Sequence, residues 1–190
     1  MLSRKTLALI SSLIIVLIAL FVLSFSATNQ VNKSAPSIPQ PTPTPIAQTV
    51  IKMSPNPVVL TNGKGSVEVN MDTNENEISA VQLEILYDPQ ALSNVAIKLG
   101  TFFSSTVPYW NKIDKEKGII SYSLVILPNE AQLKGSGTVA VIEFQKNPSS
   151  SIASTELEIL PRTIVVTSGN SSSVLNQAIG TTVLLTENTQ

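Results

Sequence analysis

At 190 residues the chain has room for one or two domains, and twelve basic against thirteen acidic residues leave a formal net charge of −1. It holds no cysteine and no histidine, which excludes a disulfide framework, the usual zinc, copper and non-haem iron sites, and any Ser-His or Cys-His nucleophile pair. Hydrophobic residues make up 43% of the sequence but aromatics only 5%; Val, Ile, Leu and Thr supply the bulk, and an all-β domain is expected.

Arg4-Lys5 precedes an uncharged stretch from Thr6 to Gln30, and its apolar centre, Leu7 to Phe25, has only Ser11, Ser12 and Ser24 as polar members. As a helix this centre would reach roughly 28 Å, about the thickness of a bilayer's hydrocarbon core. The basic pair before it predicts a cytoplasmic N-terminus with the remainder outside the cell. Residues 1–27 are therefore expected to be a signal anchor or a cleaved signal peptide: the apolar length favours the anchor, while Ser24 and Ser26 offer small residues for a peptidase. No cysteine follows, so a lipid-modified N-terminal cysteine is excluded.

Residues 28–48 change to Ser, Thr, Asn, Gln and Pro, with Pro36, Pro39, Pro41, Pro43 and Pro45 at nearly alternate positions. Such spacing favours an extended polyproline II spacer that holds the C-terminal domain clear of a surface. Residues 49–190 are expected to form one β-sandwich. All thirteen acidic residues lie in this part against nine basic ones, a net charge of about −4. With no basic stripe, nucleic acid is not expected as a partner.

Within the domain, strand signals recur every ten or so residues between Pro, Gly, Asn and Asp. Strands are read at 50–53, 58–60, 65–71, 78–87, 94–98, 109–113, 118–127, 138–145, 155–160, 163–167 and 180–185, of which about nine are expected to form. Val67, Val69 and Met71 alternate with Ser66, Glu68 and Asn70, and Val81, Leu83, Ile85 and Tyr87 alternate with Ala80, Gln82, Glu84 and Leu86. One face of each strand goes to the core and the other to water, as in two antiparallel sheets packed face to face. Asp88-Pro89 reads as a turn, and Lys115-Glu116-Lys117-Gly118 as a hairpin tip. The Ser-rich stretches 148–155 and 168–173 read as connections.

On Gly65-Ser66-Val67-Glu68-Val69-Asn70-Met71, on Ile78-Ser79-Ala80-Val81-Gln82-Leu83-Glu84-Ile85-Leu86-Tyr87-Asp88-Pro89 with Leu92, and on Gly100, Gly118-Ile119-Ile120-Ser121-Tyr122-Ser123 and Gly135-Ser136-Gly137-Thr138-Val139-Ala140-Val141-Ile142-Glu143-Phe144, the domain resembles the cohesins, receptor modules of cellulosome scaffolds and related surface proteins. The resemblance runs from about residue 50 to 186. It implies a nine-stranded jelly-roll sandwich that binds dockerin modules on a flat sheet face. An Asn and an Asp two apart, frequent dockerin contacts in the family, are here Ala80 and Gln82, so the charged acceptor is missing.

The expected role is a non-catalytic, surface-displayed module that binds a dockerin-type protein partner through Ala80, Gln82, Glu84, Ser121, Ser123 and Val125, with no cofactor. A carbohydrate-binding module using Tyr109 and Trp110 is the alternative, which would bring polysaccharide in as a ligand; against it stands the habit of a single tryptophan in a sandwich to be core. A purely structural stalk is the third reading. Asp72, Asn74, Glu75, Asn76 and Glu77 crowd one loop with oxygen ligands, but their spacing matches no EF-hand, and a solvated loop is expected. Nothing in the spacing of Asp88, Asp114, Glu116 and Glu130 brings two carboxylates together for glycoside hydrolysis, and no glycine-rich phosphate loop occurs.

Overall fold

A computed structural model describes residues 46–103, 108–127 and 129–186, together with the single positions 14, 18 and 20. The expected signal or anchor segment and the proline-rich spacer lie outside these residues, save for those three positions and 46–48. Among the described residues no helix is long and apolar enough to cross a membrane. The chain divides into two units, 1–43 and 44–190, and the strands and the core belong to the second.

Alternating apolar and polar residues make the strands, and turn residues end them. The first sheet contains β1 (Thr49–Ser54), β3 (Lys64–Asp72), β5 (Leu92–Leu99), β8 (Ser136–Lys146) and β11 (Leu175–Ile179), in the order β11-β1-β3-β8-β5. The second contains β2 (Val58–Val59), β4 (Ile78–Leu86), β6 (Trp110–Asp114), β7 (Ile119–Val125), β9 (Ser154–Ile159), β10 (Ile164–Thr167) and β12 (Thr181–Leu184). Its order is β2-β12-β9-β4-β7-β6, with β10 also on β4. Asn62 and Gly63, both at positive φ (53° and 71°), form the two-residue turn into β3, where Thr61 and Lys64 exchange backbone hydrogen bonds of 2.9 and 3.1 Å; this is the twist-matched turn that Asn-Gly favours.

The inner faces meet in one core. Ile51, Met53, Val67, Val69, Met71, Ala140, Ile142 and Phe144 come from the first sheet. Val81, Leu83, Ile85, Ile120, Tyr122, Leu124, Leu157 and Val183 come from the second. Phe103, 1% exposed, is core as well, and Phe102 meets it edge to face with ring centroids 5.6 Å apart.

Two features of the second sheet position its outer face. First, one edge of β4 serves two strands: β10 pairs with Ile78–Gln82 and β9 with Ile85 and Leu86. Between them the chain leaves the ladder over 160–163, yet Leu160 N–H still reaches the Glu84 carbonyl at 2.8 Å. The Thr163 hydroxyl takes the place of the missing backbone partner, accepting from Glu84 N–H at 3.0 Å and donating to the Glu84 carbonyl at 3.2 Å. Second, the β6–β7 hairpin lies on the other edge of β4, its tip built on Asp114, whose Oδ1 accepts from the N–H groups of Glu116 (3.2 Å) and Lys117 (3.0 Å).

The two-sheet all-β architecture agrees with the sequence reading, and Asp88 makes the expected turn, its Oδ1 accepting Gln90 N–H at 2.8 Å. Two expectations are corrected. The described residues form twelve strands where about nine were expected: all eleven read strands have a counterpart, and β11 is new. β11 runs as an exposed edge with no alternation of burial, so periodicity could not reveal it. The sheets are also not wholly antiparallel, because β1 pairs with β11 and β2 with β12 in parallel.

Candidate protein-binding face

The outer face of β10, β4, β7 and β6 can be read row by row from the pairing register, since residues directly opposite across a ladder point to the same side. One row runs Val125–Ala80–Val166. The next runs Trp110–Ser123–Gln82–Ile164. The third runs Lys112–Ser121–Glu84 and ends at the β9–β10 interruption, where Arg162 stands. The fourth runs Asp114–Ile119–Leu86–Glu158.

The six residues expected to bind a partner thus form three cross-strand pairs on one face: Ala80 with Val125, Gln82 with Ser123, Glu84 with Ser121. Tyr109 and Trp110 join them. Trp110 is 53% exposed and Tyr109 79%, so the expectation of a core tryptophan is overturned. The reason is topological: among the described strands β6 is the last of its sheet, paired with β7 alone, and its residues 110–112 are exposed on both faces.

The first two rows carry no charged residue. Val125 and Ile164 are 40% and 42% exposed, and with Tyr109 and Val166 they surround a depression of about 220 Å³ floored by Ala80, Gln82 and Ser123. Ile164 and Val166 were absent from the sequence-based site. Their alternation marked a strand, but nothing local could show that β10 lies against β4, some eighty residues earlier in the chain.

The third row is polar. The Glu84 side chain is 11% exposed and already engaged: Ser121 Oγ donates to Oε2 at 3.1 Å, Gln82 Nε2 lies 3.5 Å from Oε1, and Arg162 Nη2 lies 3.8 Å from Oε2. Glu84 is thus withdrawn into the sheet, while Arg162, 68% exposed at its side chain, stands over it. In the fourth row the Lys117 N–H, ahead of the Lys117 and Lys112 charges, holds the Asp114 carboxyl below its ordinary value.

The acidic loop between β3 and β4 is structural. Asp72 Oδ1 accepts Asn74 N–H at 3.0 Å, Asn76 Nδ2 donates to Thr49 Oγ1 at 3.2 Å, and Glu75 pairs with Lys134 at 2.7 Å. Among the described residues no group of three or more acidic side chains is placed to hold a metal ion.

The described strands thus form a two-sheet sandwich whose outer face carries two uncharged rows beside two charged ones. Residues 63–185 match the family model of the cohesin domain, and the chain belongs to that family. Solved structures agree on the fold. The third cohesin of ScaC from Acetivibrio cellulolyticus, solved with the ScaB dockerin, is 18% identical with a TM-score of 0.59, over 72% of this chain and 98% of that one. The sixth cohesin of scaffoldin B from the same organism, also solved with a dockerin, is 21% identical with a TM-score of 0.58, over 73% and 99%. A non-cellulosomal cohesin from the archaeon Archaeoglobus fulgidus is 16% identical with a TM-score of 0.57, over 73% and 91%. No curated protein matches the sequence.

Proposed function

We propose that this chain is a non-catalytic receptor that captures a dockerin-type module of another protein on the outer face of β10, β4, β7 and β6. The observation that carries the reading is the clustering on that face of exposed apolar side chains, Tyr109, Trp110, Val125 and Ile164, in rows without charge. Apolar and aromatic anchors ringed by polar groups are what a protein interface uses, and here the ring is Ser121, Glu84, Arg162 and Lys112. Family membership and the cohesin–dockerin complexes among the structural neighbours support the same class of partner.

The N-terminal apolar segment and proline-rich spacer fit a receptor held at the cell surface and displayed outward, or secreted if the segment is removed. The assembly it joins would be one acting on polysaccharide or on the cell surface.

The test is titration of residues 46–190 with dockerin-bearing proteins encoded alongside this chain, by calorimetry. Ser123→Arg and Gln82→Arg, each placing a long cation in an uncharged row, are expected to weaken binding at least 100-fold while leaving the melting temperature within a few degrees. Undiminished affinity in both variants would remove the face from the reading. A second reading, stacking of a sugar ring on Tyr109 and Trp110, is favoured by their exposure. Quenching or a spectral shift of Trp110 fluorescence with soluble polysaccharide would support it.

A further inference from the structure

We infer that the depression on this face is a socket for one apolar side chain of the partner, and that the partner carries an acidic residue two helical turns away. The inference rests on the proposed binding role of the face and specifies the chemistry of what lands there.

The socket exists because position 80 is alanine. Its neighbours across the sheet, Val125 and Val166, and the flanking Tyr109 and Ile164 are all larger, so they stand as walls around a low centre. At about 220 Å³ the space is below the roughly 300–1,000 Å³ of sites for free small molecules, and it suits a Leu- to Phe-sized side chain. Among the described residues none that is charged lines it. A lysine or arginine placed there would lose water without gaining a counterion, whereas an apolar side chain would bury carbon against carbon. Gln82 and Ser123 supply the polar groups at the floor.

The charge of the neighbouring row sets the second requirement. Glu84 is nearly buried and engaged by Ser121, Gln82 and Arg162. What this row shows to solvent is Arg162 at one end and Lys112 at the other. These two exposed cations stand one row nearer the socket than the carboxylates of Asp114 and Glu158 in the fourth row, so an acidic group landing on the third row is favoured over a basic one. Successive rows lie two residues apart along the strands, about 6.7 Å; the socket spans the first two rows, so its centre is about 10 Å from the charged third row, which matches the rise of about 10.5 Å between residues i and i+7 of a helix laid along them.

The test is a yeast-displayed library of a single dockerin module, randomised at its exposed helix positions and selected in calcium-containing buffer on immobilised residues 46–190. Expected is enrichment of Leu, Ile, Met or Phe at one position with Asp or Glu about seven residues away. Enriched clones are expected to lose at least 30-fold in affinity for Ala80→Leu, which fills the socket, and at least 5-fold for Lys112→Glu. Both substitutions are on the solvent side, and melting curves check that the fold is kept. Val166→Ala, which widens the socket, is expected to shift selection towards Phe and Trp. Clones that carry Ser, Thr, Lys or Arg instead, or that bind Ala80→Leu as tightly as the parent while Ser123→Arg still abolishes binding, would overturn the socket and leave the binding face in place. Clones indifferent to Ser123→Arg, or no binding clone at all, would remove the face itself and the socket with it.

Discussion

Single residues show where this sandwich is finely determined. Tyr122 is wholly buried in β7 and its hydroxyl finds no hydrogen-bond partner among the described residues. A buried unsatisfied polar group costs about 1–3 kcal/mol, while the ring contributes like that of phenylalanine. Tyr122→Phe is therefore expected to raise stability by about 1 kcal/mol in urea titration; a loss would show that the hydroxyl is satisfied in solution. Gly118 is constrained twice. It closes the β6–β7 hairpin at φ 65°, and a side chain there would run into the Tyr87 carbonyl and the Pro89 ring. That close approach exists because the Gly118 carbonyl accepts Tyr87 N–H at 2.8 Å. Gly118→Ala is expected to cost about 2–4 kcal/mol, since it adds a positive-φ penalty to a clash with backbone. A denaturant midpoint near that of the parent would mean that the hairpin relaxes without cost.

Among the elements, the break between β9 and β10 matters most, because it fixes β10 beside β4 and places Arg162 over Glu84. Its hinge is the Thr163 hydroxyl, which serves both backbone groups of Glu84. Thr163→Val keeps the shape but leaves a buried N–H without an acceptor, and is expected to cost about 1–3 kcal/mol. Backbone amide exchange should show the loss concentrated at Glu84 and in β10, and uniform loss across both sheets would contradict the role given to this contact. The break also shows what a sequence can reveal. Strands with one buried face, such as β3 and β4, were legible from Val67-Val69-Met71 and Val81-Leu83-Ile85 because the pleat repeats every two residues. β11 was not, since Leu175 to Ile179 is an edge exposed along most of its length. The candidate face was legible as far as β4 and β7, which alternate cleanly. Ile164, Val166 and Arg162 were missed because their membership depends on a pairing between distant segments, and Trp110 was misjudged because its burial depends on lying at the sheet's end.

At the scale of the whole molecule, the absence of histidine governs the response to pH. Two surface carboxyls are held below their ordinary values: Glu75 by the hydrogen bond and charge of Lys134, and Asp114 first by the Lys117 N–H and then by nearby lysine charge. A depressed carboxyl contributes stability that is present above its unfolded value, near 4.5 for Glu and 3.8 for Asp, and is lost as pH falls through the folded one. The tyrosines act in the opposite sense. Burial raises both Tyr87 and Tyr122, and the Asp114 charge adds to the effect at Tyr87. Their contribution is intact below the ordinary phenol value of 10.0 and is lost as pH rises further, when a buried ring would have to ionise. Lys134, raised by its pairing with Glu75, loses its contribution on the same side, above 10.5. Between these limits no side chain of the domain has an ordinary pKa, so the melting temperature is expected to be level from about pH 5.5 to pH 9 and to fall on either side. Affinity for a partner on the β10–β4–β7–β6 face is expected to be level over the same range, since no imidazole stands on it. Melting curves recorded at half-unit steps check both limbs, and a clear step between pH 6 and pH 7 would reveal a titrating group other than these.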